Sequence, residues 1–322
     1  MEPPRSIAFT GIDTYFGRRL IDRLAARPGP LRIVGLDSHD PPNPAPLIHF
    51  HRVDLTQPGI GAHIAEILCK EQVDVVVHLA FKEVPSANRD ADHEIEVSGS
   101  LEILNACAEA NVGKLVIPST TMCYGPRLEN AHQLCEDAPL RGHAGAHWIS
   151  NRVQVERAVE RYRKSTPACS VTVLRHCWIM GPQFVDPIVR FFEAQWVPTL
   201  LGYDPLLQFV HEDDLLAVLE AAIFESHPGV FNVVGEGVLP LSGYLRLAGK
   251  RNVSLPRILL SRIPGAPIAL SSADSEDGFY DYLKYIWVAS GERLRTEFGP
   301  LAYTSQEAWS AMVSSRRLQH YR

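Results

Sequence analysis

Two groups of residues in this chain have types and spacings that can do chemistry. The first is Gly11-Ile12-Asp13-Thr14-Tyr15-Phe16-Gly17, set between an apolar run and a helical period. At such a junction a glycine allows a tight turn, the first N–H groups of the helix meet a pyrophosphate, and a last glycine lets helix and strand pack closely. The middle glycine of the usual three is replaced by Thr14, so the backbone stands farther from the phosphates or the hydroxyl adds a contact. About twenty residues after Gly17, Asp37 closes the next apolar run, where a carboxylate accepts the hydroxyls of an adenosine ribose and repels a 2′-phosphate. That favours NAD over NADP as cofactor. The second group is His147-Trp148-Ile149-Ser150-Asn151-Arg152, in which an imidazole titrating near neutrality is a competent acid or base and a guanidinium is a fixed charge.

The elements that must position these groups alternate between strand-like and helix-like periods. Strands are expected at 6–10, 31–37, 48–53, 73–80, 114–119 and 171–176. Helices are expected at 18–26, 64–70, 93–110 and 148–164. Run 73–80 is almost continuously apolar, as a strand buried on both faces should be. Helices between such strands predict an α/β, Rossmann-type, doubly wound parallel sheet. Residues 1–180 would form the cofactor-binding domain. Residues 181–322 would form a smaller lobe for substrate, interleaved with the end of the sheet, with helices at 187–195 and 212–225 and strands at 206–210 and 230–234.

Bulk properties narrow the function classes. A chain of 322 residues, 46% hydrophobic and 21% charged, can bury a large core. A net charge of -6 gives no footprint for a nucleic-acid backbone or an anionic membrane. The most apolar stretch, 256–270, is interrupted by Arg257, Arg262 and several prolines, so no membrane span is expected. The six cysteines have neither paired spacing nor disulfide-scaffold density and read as reduced, mostly buried thiols in a cytoplasm. His49 and His51 share a strand face, but no carboxylate or thiol at ligand spacing accompanies them, so no metal is expected.

Taken in order, the glycine loop, Asp37, Val53-Asp54-Leu55, His78-Leu79-Ala80, Ser119-Thr120 with Tyr124-Gly125, Leu174-Arg175, Gly181-Pro182 and the run 209–214 resemble the extended short-chain dehydrogenase/reductases, the NAD-dependent epimerase/dehydratase family. The likeness covers about the first 240 residues. It implies that Gly11, Thr14, Tyr15, Phe16, Gly17 and Asp37 bind NAD, that Asp54 and Leu55 flank the adenine, and that Leu79, Ala80 and Phe81 line the adenosine ribose and phosphates. It implies further that Thr120 holds a substrate oxygen, that Gly181-Pro182 sits near the nicotinamide, and that the substrate is a small molecule such as a sugar nucleotide. A homodimer packed through the helices at 93–110 and 148–164 is in keeping with it.

The chain departs from the family where a Tyr and a Lys four residues apart move the proton. Aligned on Glu156, Trp148 and Arg152 occupy those positions; shifted by one, His147 and Asn151 do. An indole only donates a hydrogen bond. His147 is therefore the expected proton carrier if the second register holds, with Arg152 holding the cofactor ribose as the Lys would, and Cys123, Tyr124 and His176 are further candidates. Glu96 stands where the family has an Asn. Two functions follow: an NAD-dependent oxidoreductase or epimerase/dehydratase-like enzyme with a non-standard acid/base, or an NAD(H)-binding sensor or scaffold whose chemistry has been lost.

Overall fold

In the computed structural model, which describes residues 3–40, 48–82, 86, 88–260 and 276–319, the expected alternation forms one seven-stranded parallel sheet. Its first six strands in chain order are β1 (Ser6–Thr10), β2 (Arg32–Asp37), β3 (Ile48–Arg52), β4 (Val75–His78), β5 (Lys114–Thr120) and β6 (Ser170–His176). They stand in the order β3-β2-β1-β4-β5-β6, and the strand Gly229–Val233, from well beyond residue 181, completes the β6 edge. The order reverses between β1 and β4, which opens a crevice at their carboxyl ends.

The helices that flank the sheet are α1 (Tyr15–Ala25), α2 (Ile60–Lys70), α3 (Arg89–His93), α4 (Gly99–Glu109), α5 (His147–Ser165), α6 (Pro187–Glu193) and α7 (Glu212–Phe224). One core packs α2, α4 and α5 against one face through Ile64, Leu68, Ile103, Leu104, Val155 and Val159. The other packs α1 and α7 against the opposite face through Leu20, Leu24, Leu216 and Leu219. Both faces of β1 and β4 are covered, which is why Ile7 to Phe9 and Val75 to Val77 are apolar without alternation.

The lobe beyond β6 is held to the sheet by aromatic packing. Trp178 meets Phe192, Phe209, Phe279 and Trp287 at centroid separations of 5.0–6.3 Å, and the fully buried Trp309 stacks on Phe209 at 5.3 Å. Strand Trp178–Met180 pairs in parallel with Phe209–His211 and so carries the end of β6 into this lobe. Among the described residues no helix is long and apolar enough to cross a membrane. Positions 261–270 of the apolar stretch 256–270 lie outside the described residues.

Several boundaries shift from expectation. The helix expected at 93–110 divides into α3, a π-helical turn Glu94–Ser98, and α4. The strand expected at 206–210 divides into Leu206–Leu207 and Phe209–His211, which pair with different partners. The cysteines are all free, four of them buried, with Cys69 and Cys135 exposed. His49 and His51 do have a carboxylate: Glu71, brought from the end of α2, lies 3.2 Å from His49 Nδ1 and 3.1 Å from His51 Nε2. It was invisible in the local spacing because the sheet register, not the sequence, makes the contact.

Candidate functional site

The crevice begins where β1 ends. Gly11 has φ of +65°, and a Cβ there would stand 2.8 Å from the Leu79 and Ala80 backbone, so only glycine admits this approach of the two strand ends. Thr14 caps α1: its Oγ1 accepts from Gly17 N at 3.1 Å and donates to Gly11 O at 2.8 Å. The residue read as a missing glycine is thus the N-cap of the helix. Gly17 packs against the loop carbonyls, 2.6 Å from a built Cβ to Gly11 O.

A cavity of about 380 Å³ opens beside this loop, lined by Gly11, Asp13 and Thr14, by Leu36, Asp37 and Ser38 at the end of β2, by Val53, Asp54 and Leu55 after β3, and by Ala80, Phe81, Lys82 and Ile95. Asp37 keeps one oxygen on Ser38 N at 2.8 Å. Asp54 accepts from Thr56 N and Thr56 Oγ1 at 3.0 and 2.8 Å, and these hydrogen bonds lower its pKa. Of the cofactor residues expected from sequence, Gly11, Thr14, Asp37, Asp54, Leu55, Ala80 and Phe81 converge here. Leu79, Phe16 and Arg152 line the neighbouring cavity. Tyr15 and Gly17 line neither. Tyr15 instead donates to buried Glu212 at 2.8 Å, and burial together with that carboxylate raises its pKa, so it ties α1 to α7.

The second cavity, of about 150 Å³, shares Thr14, Phe81 and Lys82 with the first, so the two are neighbours along a groove at the carboxyl ends of the strands. Thr120 and His176 line it from β5 and β6, where they are register partners. Trp148 and Arg152 line it from α5, and Phe16, Trp178, Ile179, Phe184, Ile188 and Leu215 make an apolar wall. Thr120 Oγ1 accepts from Met122 N at 3.3 Å. Burial pushes the His176 imidazole down to about 4, the Cys177 carbonyl opposes this, and the Arg152 charge adds to it.

The two registers left open by sequence fall on different sides of α5. Trp148 and Arg152 lie one turn apart on the groove side. One residue earlier is about 100° around the helix, and His147 points to Asp92, with Nε2 3.3 Å from Oδ2. His147 lines neither cavity. Asn151 donates to Glu96 Oε2 at 3.1 Å and meets His93 Nδ1 at 3.2 Å.

Two buried acids that sequence reasoning left without a role organise this wall. Glu96, in the π-helical turn, accepts from Lys82 N at 3.2 Å and stands 4.0 Å from Arg152. Asp92 is 1% exposed and gathers Lys82 Nζ, Ser86 and His147. Burial alone would raise its pKa, but the hydrogen bonds from Lys82, Ser86 and His147 outweigh that and hold it at about 2. A π turn re-aims side chains within a helix and is often found at functional sites; no feature of the apolar period signals one.

Behind Thr120, Ser119 donates to Glu156, and Glu156 takes Arg175 through both oxygens at 2.7–3.1 Å. Arg175 donates on to Tyr124 Oη at 2.8 Å, which donates to Asn232 at 2.7 Å. This buried chain fixes the ends of β5 and β6 relative to the middle of α5. It also occupies Tyr124, whose hydroxyl burial pushes up to about 12. Cys123 is likewise pushed up to about 12 by burial. At Gly181 a Cβ would stand 2.4 Å from Glu212, which accepts from Gln183 N at 3.0 Å and from Phe184 N. The start of the lobe is thereby pinned beside the groove.

A family model covers this arrangement from residue 7 to residue 233. The chain belongs to the NAD dependent epimerase/dehydratase family. NAD is accordingly the cofactor of the family. An uncharacterized protein of Mycobacterium tuberculosis is 28% identical over 323 residues, spanning 98% of this chain and 85% of its own length. The UDP-glucose 4-epimerase of Thermotoga maritima, solved with UDP-glucose, superposes with a TM-score of 0.73 at 16% identity and covers 98% of this chain and 99% of its own. The Bordetella bronchiseptica enzyme WbmG, solved with NAD and UDP, gives 0.71 at 18%, covering 98% and 95%. At these identities the two structures speak for the fold.

The residues present fit an adenosine diphosphate. The cradle at Gly11 is one that a Cβ would fill, the helix end at Thr14 faces the cavity, and among the described residues that line it Asp13, Asp37 and Asp54 outnumber the cation Lys82, which is paired with Asp92.

Proposed function

We propose that this chain is an NAD-dependent enzyme of epimerase/dehydratase type that exchanges hydroxyl and keto at one carbon of a sugar nucleotide or a related metabolite. The observation that carries this is the adjacency of the two cavities: the one bordered by Gly11 and Asp37 and the one lined by Thr120 share Thr14, Phe81 and Lys82 as lining residues. Gly11, Thr14, Asp37, Asp54, Leu55, Leu79, Ala80 and Phe81 would hold the adenosine and diphosphate, and Arg152 the remaining ribose. When bound, NAD supplies reversible two-electron oxidation of a carbinol. Thr120 donates a hydrogen bond to the oxygen of that carbinol and fixes it against the apolar wall, which keeps water out. The substrate class is carried over from similar structures solved with UDP-glucose or UDP.

A second reading, an NAD(H)-responsive sensor, is favoured by one observation: Trp148, which stands at the phenol position in the register aligned on Glu156, lines the groove. The two readings separate in one experiment. Calorimetric titration with NAD and NADP is followed by the absorbance of reduced cofactor with UDP-glucose, UDP-galactose, UDP-glucuronate and dTDP-glucose, for the unmodified chain and Thr120→Ala. Tight NAD binding with reduction that Thr120→Ala abolishes supports the enzyme. Tight binding with neither reduction of NAD nor any conversion of the four nucleotide sugars, read by chromatography, supports the sensor, and equal weak binding of NAD and NADP overturns both.

A further inference from the structure

We propose that His176 is the catalytic proton carrier of this groove: its Nε2 takes the proton of the substrate hydroxyl whose oxygen Thr120 holds, and returns it in the reverse direction. The inference rests on the enzyme reading above. In the oxidation the substrate O–H bond breaks and an N–H bond forms at His176 Nε2. The C–H bonding pair leaves with its hydrogen to NAD, which is reduced, and C–O becomes C=O. Reduction runs the same bonds backwards.

Register puts the two groups together. Thr120 and His176 are directly opposite in the parallel β5–β6 ladder, so their side chains leave the same face of the sheet, and both line the groove. Neighbouring strands are about 4.8 Å apart. One oxygen atom spans that gap with two hydrogen bonds of about 2.7 Å.

The tautomer is set by the backbone. His176 Nδ1 lies 2.8 Å from Cys177 O, and a carbonyl only accepts, so Nδ1 carries the hydrogen. The neutral ring then presents an unprotonated Nε2, the state an acceptor needs. Burial and the nearby Arg152 hold the ring neutral. Arg152, Lys82 and Asp186 are the charged groups that share its cavity, and Lys82 is paired with Asp92.

Other candidates are spent elsewhere. His147 faces Asp92. Tyr124 is held between Arg175 and Asn232, and Cys123 and Cys177 have thiol pKa values raised by burial. Trp148 and Arg152 have no proton of suitable acidity to exchange.

The test has two arms. NMR of isotope-labelled histidine nitrogens in the NAD-loaded protein, with the His176 signals assigned by their loss in His176→Gln, should show hydrogen on Nδ1 and none on Nε2 at pH 7. Hydrogen on Nε2, or on both nitrogens, at that pH overturns the proposal without any substrate. In the second arm, the nucleotide sugar that the unmodified chain turns over is given to His176→Gln and His176→Ala. We expect kcat to fall by roughly 10²–10⁴-fold with the NAD Kd unchanged, added imidazole to restore turnover to His176→Ala, and the unmodified kcat/KM to fall as pH drops through about 4. A His176→Gln kcat within about tenfold of the unmodified value rejects His176 while leaving the enzyme reading standing. No turnover of any of the four nucleotide sugars by the unmodified chain removes the enzyme reading, and this role with it.

Discussion

Arg152 holds its guanidinium carbon 3.6 Å from the centroid of the Phe81 ring, and Phe81 lines both cavities of the groove. The arginine on α5 is thus braced against the chain that leaves β4, with Glu96 at 4.0 Å. A cation over an aromatic face is worth up to about 2 kcal/mol when desolvated, and this one is largely buried. Arg152→Ala should lower unfolding free energy by roughly 1–2 kcal/mol and weaken NAD binding. Arg152→Lys should return the charge without the planar stack, and so recover only part of either. Urea unfolding and calorimetric titration read the two effects; a fully wild-type Arg152→Lys would show that the stack contributes nothing.

Among the described residues at the end of β2, Asp37 is the acid that lines the cavity beside the glycine loop. A charge-assisted hydrogen bond contributes about 1.5–3 kcal/mol, so Asp37→Ala should weaken NAD by roughly tenfold to a hundredfold. NADP should lose little, because the repelled 2′-phosphate gains what the lost hydroxyl contacts give up. Titration of both cofactors against both proteins checks the ratio. An unchanged NAD to NADP preference would move the adenosine ribose away from Asp37.

The glycine loop separates capping from space. Thr14→Ala removes the acceptor for Gly17 N and should cost about 1 kcal/mol, whereas Thr14→Gly should cost only a few tenths. Gly11→Ala forces a side chain into a left-handed conformation and against the Leu79 and Ala80 backbone, so it should destabilise more than Thr14→Ala. Thermal midpoints rank the three. If Gly11→Ala is the mildest, the strand ends are not held at the distance described.

Sequence made the sheet legible because strands buried on both faces cannot alternate, and runs such as Val75–His78 declare themselves by composition. That Gly11 and Asp37 would border one cavity was legible for a related reason: they answer backbone and charge requirements that few other residues meet. The catalytic half was not. Whether His147 or Trp148 faces the groove is a matter of about 100° of helix phase, which no local pattern fixes. The pairs Lys82–Asp92 and Glu96–Asn151 link residues ten and fifty-five positions apart, and the π turn that aims Glu96 carries no periodic mark. His176 was legible as the end of a strand, but its partner Thr120 emerged only with the β5–β6 register.

His78 offers a pH test of the same packed strand ends. Its ring is fully buried, with Nε2 2.9 Å from Ser100 Oγ and Nδ1 2.7 Å from Thr10 Oγ1. Ser100 spends its own hydrogen on Glu96 O, so it must accept from Nε2–H. Nδ1 is then the acceptor for Thr10, whose oxygen accepts in turn from Leu79 N and Ala80 N at 3.1 and 3.2 Å. A second proton on this ring would face the Thr10 hydroxyl hydrogen. Burial, with a smaller contribution from Arg152, depresses its pKa from 6.5 to about 3. Between those values the unfolded chain binds a proton that the folded chain refuses, so stability is full above pH 6.5 and falls as pH drops through the window. One proton is worth about 1.4 kcal/mol per pH unit, or roughly 2 kcal/mol by pH 5. His78→Gln, whose amide can both donate and accept, should cost stability at pH 7 yet lose this slope. Urea midpoints of the two proteins at pH 7, 6 and 5 should therefore converge as pH falls; parallel lines would mean that His78 takes up its proton as readily in the fold as in the unfolded chain.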